Sequence, residues 1–176
     1  MSFLQRVLTP FGEILDRIIC ICIVALFMQL PMYINQYVDV LSGARMEAKR
    51  TYDDMETRAL ANGLSIAEFV KRLKDNEDVI ARESGEVSEN VVSRYEKYSE
   101  ALEALTTGSV WVRPFRLMAH YDPSINAAMH FEPGLPLNIE GVLYGIAGLA
   151  FSLLIVGLGR GLAKRIFGKK KRTIAA

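Results

Sequence analysis

Two stretches of the chain, Ile18 to Ile34 and Gly141 to Leu158, run almost without charge, while the charged residues crowd into the segment between them. A soluble core needs apolar positions interleaved with polar ones throughout. In a chain of 176 residues that is 51% hydrophobic, this segregation points to an all-α membrane protein with two transmembrane helices joined by a helical hairpin or short bundle outside the membrane.

Only Gln29 and Pro31 interrupt the first run, which as a helix rising about 1.5 Å per residue is just long enough to cross the hydrocarbon layer. Asp16 and Arg17 can reach water at one interface, and Tyr33 and Tyr37 mark the other as interfacial aromatics do. A secretory signal peptide is the rival reading, but the small residues Ser42 and Ala44 lie too far from the apolar core to form its cleavage site. The second run is uncharged for 18 residues, is opened by Asn138 as a helix cap and is closed by Arg160, Lys164 and Arg165. Gly141, Gly145 and Gly148, with Gly157, Gly159 and Gly161 near its end, leave flat patches where another helix can approach.

The net charge of +1 hides an asymmetry, because Asp39 to Asn138 holds 12 Lys and Arg against 17 Asp and Glu, leaving the flanks strongly basic. A nucleic-acid partner is disfavoured, since the basic residues are not on the folded part. Lys and Arg close to the spans set orientation. The C-terminal tail carries Arg160, Lys164, Arg165, Lys169, Lys170, Lys171 and Arg172, the N-terminal flank Arg6 and Arg17, and no basic residue follows Arg116 before the second span. Both termini are therefore expected in the cytoplasm, with the tail cluster acting as a topology anchor and lipid-headgroup contact.

The expected organisation is a cytoplasmic flank (1–17), a first span (18–37), a periplasmic helical hairpin (38–108), an interfacial segment (109–138), a second span (139–159) and a basic tail (160–176). Val38, Leu41, Ala44, Ala48, Met55 and Ala59 approximate one face of a helix continuing from the first span, with Tyr52 and the charges keeping that face narrow. Asn62 and Gly63 break it, and Ser65 with Glu68 forms a capping box for a second helix expected to end near Ser84 and Gly85. A third helix, from about Val87 to Leu105, carries Val91, Tyr95, Tyr98, Leu102 and Leu105 on one side. Such single apolar stripes should pack together and leave surface for another protein. Beyond Gly108, Trp111 and Phe115 suit the headgroup level, where Arg113 and Arg116 would meet phosphates, and Pro123 begins a short helix through His130.

Enzymatic motifs are missing from this pattern. His120 and His130, with Asp122 and Glu132, match no short metal motif, and the span glycines lack the strand that a nucleotide loop requires. Cys20 and Cys22 read as small fillers of a span, being two apart and so facing different directions on a helix. No catalytic residue, metal or cofactor is expected. Gln29 and Ser152 are the polar side chains well inside the spans, too few to line a transport pathway in one copy.

The stretch RPFRLMAHYDPSINAAMHFEPGLPLNIEGVLYGIAGLAFSLL, with the Gln29-Leu30-Pro31 step in the first span, resembles an uncharacterised family of bacterial two-span inner-membrane proteins, a domain of unknown function. The resemblance implies the bacterial inner membrane and brings no activity. The leading expectation is a non-catalytic accessory or scaffolding subunit that docks, through its glycine-bearing span and periplasmic helices, on other membrane-protein subunits or copies of itself. An oligomeric channel or stress-response membrane protein is the alternative, and a small metal- or haem-binding redox protein the third.

Overall fold

The structure, a computed structural model, describes residues 3–134 and 136–170, with side chains over 13–134 and 136–161. Among the described residues six helices follow in order: α1 (Phe3–Ala61), α2 (Ile66–Lys74), α3 (Val79–Thr106), α4 (Arg113–Ala119), α5 (Pro123–Ala128) and α6 (Ile139–Lys170). Among the described residues there is no strand. The chain divides into two compact units, Met1–Tyr33 with Glu132–Ala176, and Ile34–Phe131.

In the first unit α1 and α6 pair through small residues. A Cβ added at Gly148 would lie 2.8 Å from the Phe27 Cβ and 3.2 Å from the Val24 Cα, and the Phe27 and Phe151 rings meet at 5.4 Å. Met28 lies beside Gly145, and Asp16 accepts from the Arg160 Nε at 2.7 Å. Partners rise along α1 as they fall along α6, so the two helices are antiparallel and the start of one apolar run meets the end of the other. The Asn138 Oδ1 accepts from the Gly141 N–H at 2.8 Å, the cap expected there.

The second unit is built on the remainder of α1. Its buried face runs Ile34, Tyr37, Leu41, Met55 and Ala59, and Met55 meets Val70 of α2 and Val91 of α3 in a small core flanked by Ile66 and Val92. Tyr52 belongs to the packed side rather than narrowing it, since its ring lies 4.7 Å from that of Tyr95. Arg45 stacks over the same Tyr95 at 5.6 Å and donates to the Ser99 Oγ. Gly63, at φ 68°, turns the chain out of α1, and the Ser65–Glu68 capping box starts α2.

The second helix ends at Lys74, ten residues before the expected Ser84–Gly85 stop, and α3 already begins at Val79. Two side-chain turns cause the break: Asn76 accepts from the Asp78 N–H and Asp78 accepts from the Ile80 N–H, both at 2.9 Å. Gly85 sits inside α3 for a packing reason, because a Cβ there would come within 2.7 Å of both the Lys74 backbone nitrogen and its Cγ. The helix expected from Pro123 to His130 closes at Ala128.

Candidate functional site

The outer surface of the α1–α6 pair is apolar. Ile18, Ile21 and Leu26 on α1 and Ile146, Leu153, Leu154 and Leu158 on α6 are all exposed. Of the most apolar 18 residues in each helix only 11% and 28% are buried, far less than in the core helix of a soluble protein. The polar exceptions face inward. Ser152 is fully buried and its hydroxyl donates to the Leu149 carbonyl at 2.8 Å. Gln29 binds both backbone groups of Gly134.

The glycines of the second span divide by use. Gly145 and Gly148 receive the chain's own α1, and Gly141 packs on Pro136, whose carbonyl oxygen a Cβ at 141 would strike. Gly157, Gly159 and Gly161 have open space beside them. Of the basic tail, Arg160 pairs with Asp16. The side chains of Lys164, Arg165, Lys169 and Lys170 lie outside those described, and Lys171 and Arg172 lie outside the described residues.

In the second unit the segment after α3 is held by cations turned inward. Instead of reaching outward to phosphates, the Arg113 Nε donates to the Leu105 carbonyl at 3.1 Å and its Nη2 to the Asn35 Oδ1 at 2.7 Å. The Arg116 Nη1 donates to the carbonyls of Ala104 and Thr107. The reason is local, as the last carbonyls of a helix have no partner within it and the end of α3 supplies three of these acceptors. Trp111 and Phe115, in contrast, are exposed.

Tyr37 is fully buried and so is no interfacial anchor. Its hydroxyl accepts from the Asp122 N–H at 2.8 Å, and its ring stacks on Tyr121 at 6.1 Å. The Asp122 carboxylate accepts from the Lys97 Nζ at 2.8 Å and from both the N–H and the hydroxyl of Ser124. Lys97 and then Ser124 hold its pKa down at about 2. This arrangement ties α1, α3 and the start of α5 together. Among the described residues no three His, Cys, Asp or Glu side chains gather as metal ligands. His120 ends α4, its backbone N–H bonded to Arg116.

Two shallow grooves flank the small core. One, of about 500 Å³, has Tyr52, Ile66, Val70 and Val92 as its floor and the Lys74–Glu89 pair at its rim. The other, of about 400 Å³, lies between Met55 and Val91 and is edged by the exposed Ile80 and Val87. Sequence periodicity does not point to the second groove, because a second helix running to Ser84 and Gly85 would include Ile80, which lies in α3.

These features define an all-helical protein with two helices long and apolar enough to cross a membrane. The chain belongs to the family described as Protein of unknown function (DUF2937), which matches residues 11–169. No curated protein and no solved structure matches it.

Proposed function

We propose that the protein is a two-pass component of the bacterial inner membrane, with both termini in the cytoplasm and the Ile34–Phe131 unit in the periplasm, acting as a non-catalytic accessory or scaffolding subunit. The observation that carries the membrane reading is the pairing of α1 and α6 through Gly148 while their outward Ile and Leu side chains stay uncovered. In water that surface would be costly at roughly 25 cal/mol per Å², whereas acyl chains cover it without cost. The antiparallel pairing, with Asp16 on Arg160, puts the two basic flanks on one side, and their Lys and Arg residues favour the cytoplasm.

The accessory role rests on the periplasmic unit, whose Lys97, Arg113, Arg116 and Asp122 side chains are engaged in holding the fold while Ile80 and Val87 stand exposed beside Met55 and Val91. Gly145 and Gly148 are already occupied by α1, so docking within the membrane would fall to the open Gly157–Gly161 end of α6. The full chain, purified from native membranes in mild detergent, should retain a stoichiometric membrane-protein partner. Ile80→Glu with Val87→Glu should lose that partner at unchanged membrane level. A chain that purifies alone, or that conducts ions by itself in proteoliposomes, refutes the accessory role.

A further inference from the structure

We propose that α4 lies in the plane of the membrane surface, with Trp111, Val112, Phe115 and Met118 inserted into the lipid leaflet at which the first span ends. The proposal rests on the reading of α1 as membrane-spanning and adds a third, in-plane contact with the bilayer.

Polarity is distributed unequally on α4. The outward side of α4 and of the turn that leads into it carries Trp111, Val112, Phe115, Met118 and Ala119, without one charge. Phe115 is 71% and Met118 79% exposed. The inward face carries the two arginines, whose guanidiniums are taken by Asn35 and by carbonyls at the end of α3. A short helix facing water would turn its cations out and its large apolar side chains in. Here the reverse holds, with only Leu117 buried on the inner side.

Asn35, which accepts from the Arg113 Nη2 at 2.7 Å, is the residue immediately after the apolar run Ile18–Ile34. A helix tied to Asn35 is therefore held where the chain leaves the hydrocarbon. Tyr37, two residues on, accepts from the Asp122 N–H, so the segment is anchored at the same level beyond α4 as well. Trp, Phe and Met projecting from this level meet the headgroup and upper acyl region, where amphipathic side chains are most favourable. A protein partner would first have to clear lipid from that plane, which is why the leaflet is the occupant assigned.

Trp111 is the sole tryptophan of the chain, so its fluorescence reports this face without any label. In the full-length protein in phosphatidylcholine nanodiscs, lipids brominated near the headgroup should quench Trp111 at least twice as strongly as lipids brominated deep in the acyl chain. Aqueous iodide should quench weakly, and Phe115→Ser with Met118→Ser should raise iodide quenching several-fold. Strong iodide quenching of the unmodified protein without a response to brominated lipid would overturn the proposal by placing the face in water. Protection from both quenchers would overturn it by placing a second copy there. Alkaline carbonate extraction of native membranes separates the two readings: a protein retained in the pellet with Trp111 in water loses only the α4 insertion, whereas release into the supernatant removes the spanning reading as well.

Discussion

The side-chain amide of Gln29 closes both hydrogen-bonding groups of Gly134, donating through Nε2 to its carbonyl at 2.8 Å and accepting through Oε1 from its N–H at 3.3 Å. Gly134 is not helical, so neither group has an intrahelical partner, and the Met32 Cε fills the place of its missing side chain at 2.8 Å. Irregular backbone next to an apolar span is tolerated only where protein groups satisfy it. The one strongly polar side chain well inside the first apolar run therefore has a structural task.

Gln29→Leu should leave insertion intact, as leucine is the more apolar residue, yet unpair two backbone groups at about 1–3 kcal/mol each. Thermal unfolding of the purified chain in detergent should register that loss while the amount in the membrane stays constant. An unchanged midpoint would mean that the clamp contributes nothing.

Local signals were legible in the sequence wherever one side chain decides the backbone. The Ser65–Glu68 capping box, the Asn138 cap, the Pro123 start of α5 and the two apolar helices all stand where their residues indicate. The break at Lys74 was masked because Ile80 kept the apolar spacing of α2, although Asp78, an ordinary cap residue, was available as a signal. The roles of Arg113 and Gln29 could not be read, because each depends on a distant acceptor, and that of Arg116 depends on which carbonyls the end of α3 presents. Gln29 and Gly134 are 105 positions apart, and Arg113 and Asn35 are 78 apart. Periodicity says which face is apolar but not which carbonyls a cation will find.

Asp122 gives the second unit an acid-sensitive link. Its pKa is lowered from the usual carboxylate range to about 2, first by Lys97 and then by Ser124. The stabilisation is therefore complete above the unfolded-state value near pH 4, fades as the pH falls towards 2, and is absent below that. Lys97 is more than half exposed, so solvent screening reduces the effect to about 1 kcal/mol. Asp122→Asn, which keeps a capping side chain, should unfold more easily than the parent at pH 6, and the two should converge as the pH approaches 2. Tyr37→Phe should behave differently, since it strands the buried Asp122 N–H at a cost of about 1–3 kcal/mol that does not change with pH. A parent–Asn difference that persists at pH 2 would show that the charge on Asp122 is not the source.

Orientation can be read from single cysteines at Glu103 and Thr173, placed in a chain whose Cys20 and Cys22 are changed to Ala. Glu103 is exposed near the end of α3, and Thr173 lies in the basic tail. In intact spheroplasts an impermeant maleimide should label the cysteine at 103 and spare the one at 173 until the membrane is permeabilised. The reverse pattern would invert the topology, and labelling at both positions would refute a two-pass chain with its tail inside.

The glycines of α6 make opposite predictions according to what faces them. At Gly148 a side chain would meet the Phe27 Cβ at 2.8 Å and the Val24 Cα at 3.2 Å, and because the latter is backbone, the neighbour cannot simply rotate away. Helices in a bilayer associate through close packing rather than expulsion from water, so the added bulk has no hydrophobic gain to offset it. Gly148→Leu should therefore cost about 1–3 kcal/mol and loosen α1 from α6 without reducing insertion. Gly145 is a milder case, since its nearest neighbours are the Met28 Cγ and Sδ at 3.4 Å on a flexible side chain, and Gly145→Ala should be nearly neutral. Nothing lies within 4 Å of Gly157, so Gly157→Leu should leave unfolding of the isolated chain unchanged. Equal unfolding of Gly148→Leu and Gly157→Leu would show that the glycine face is not the seam between the two long helices.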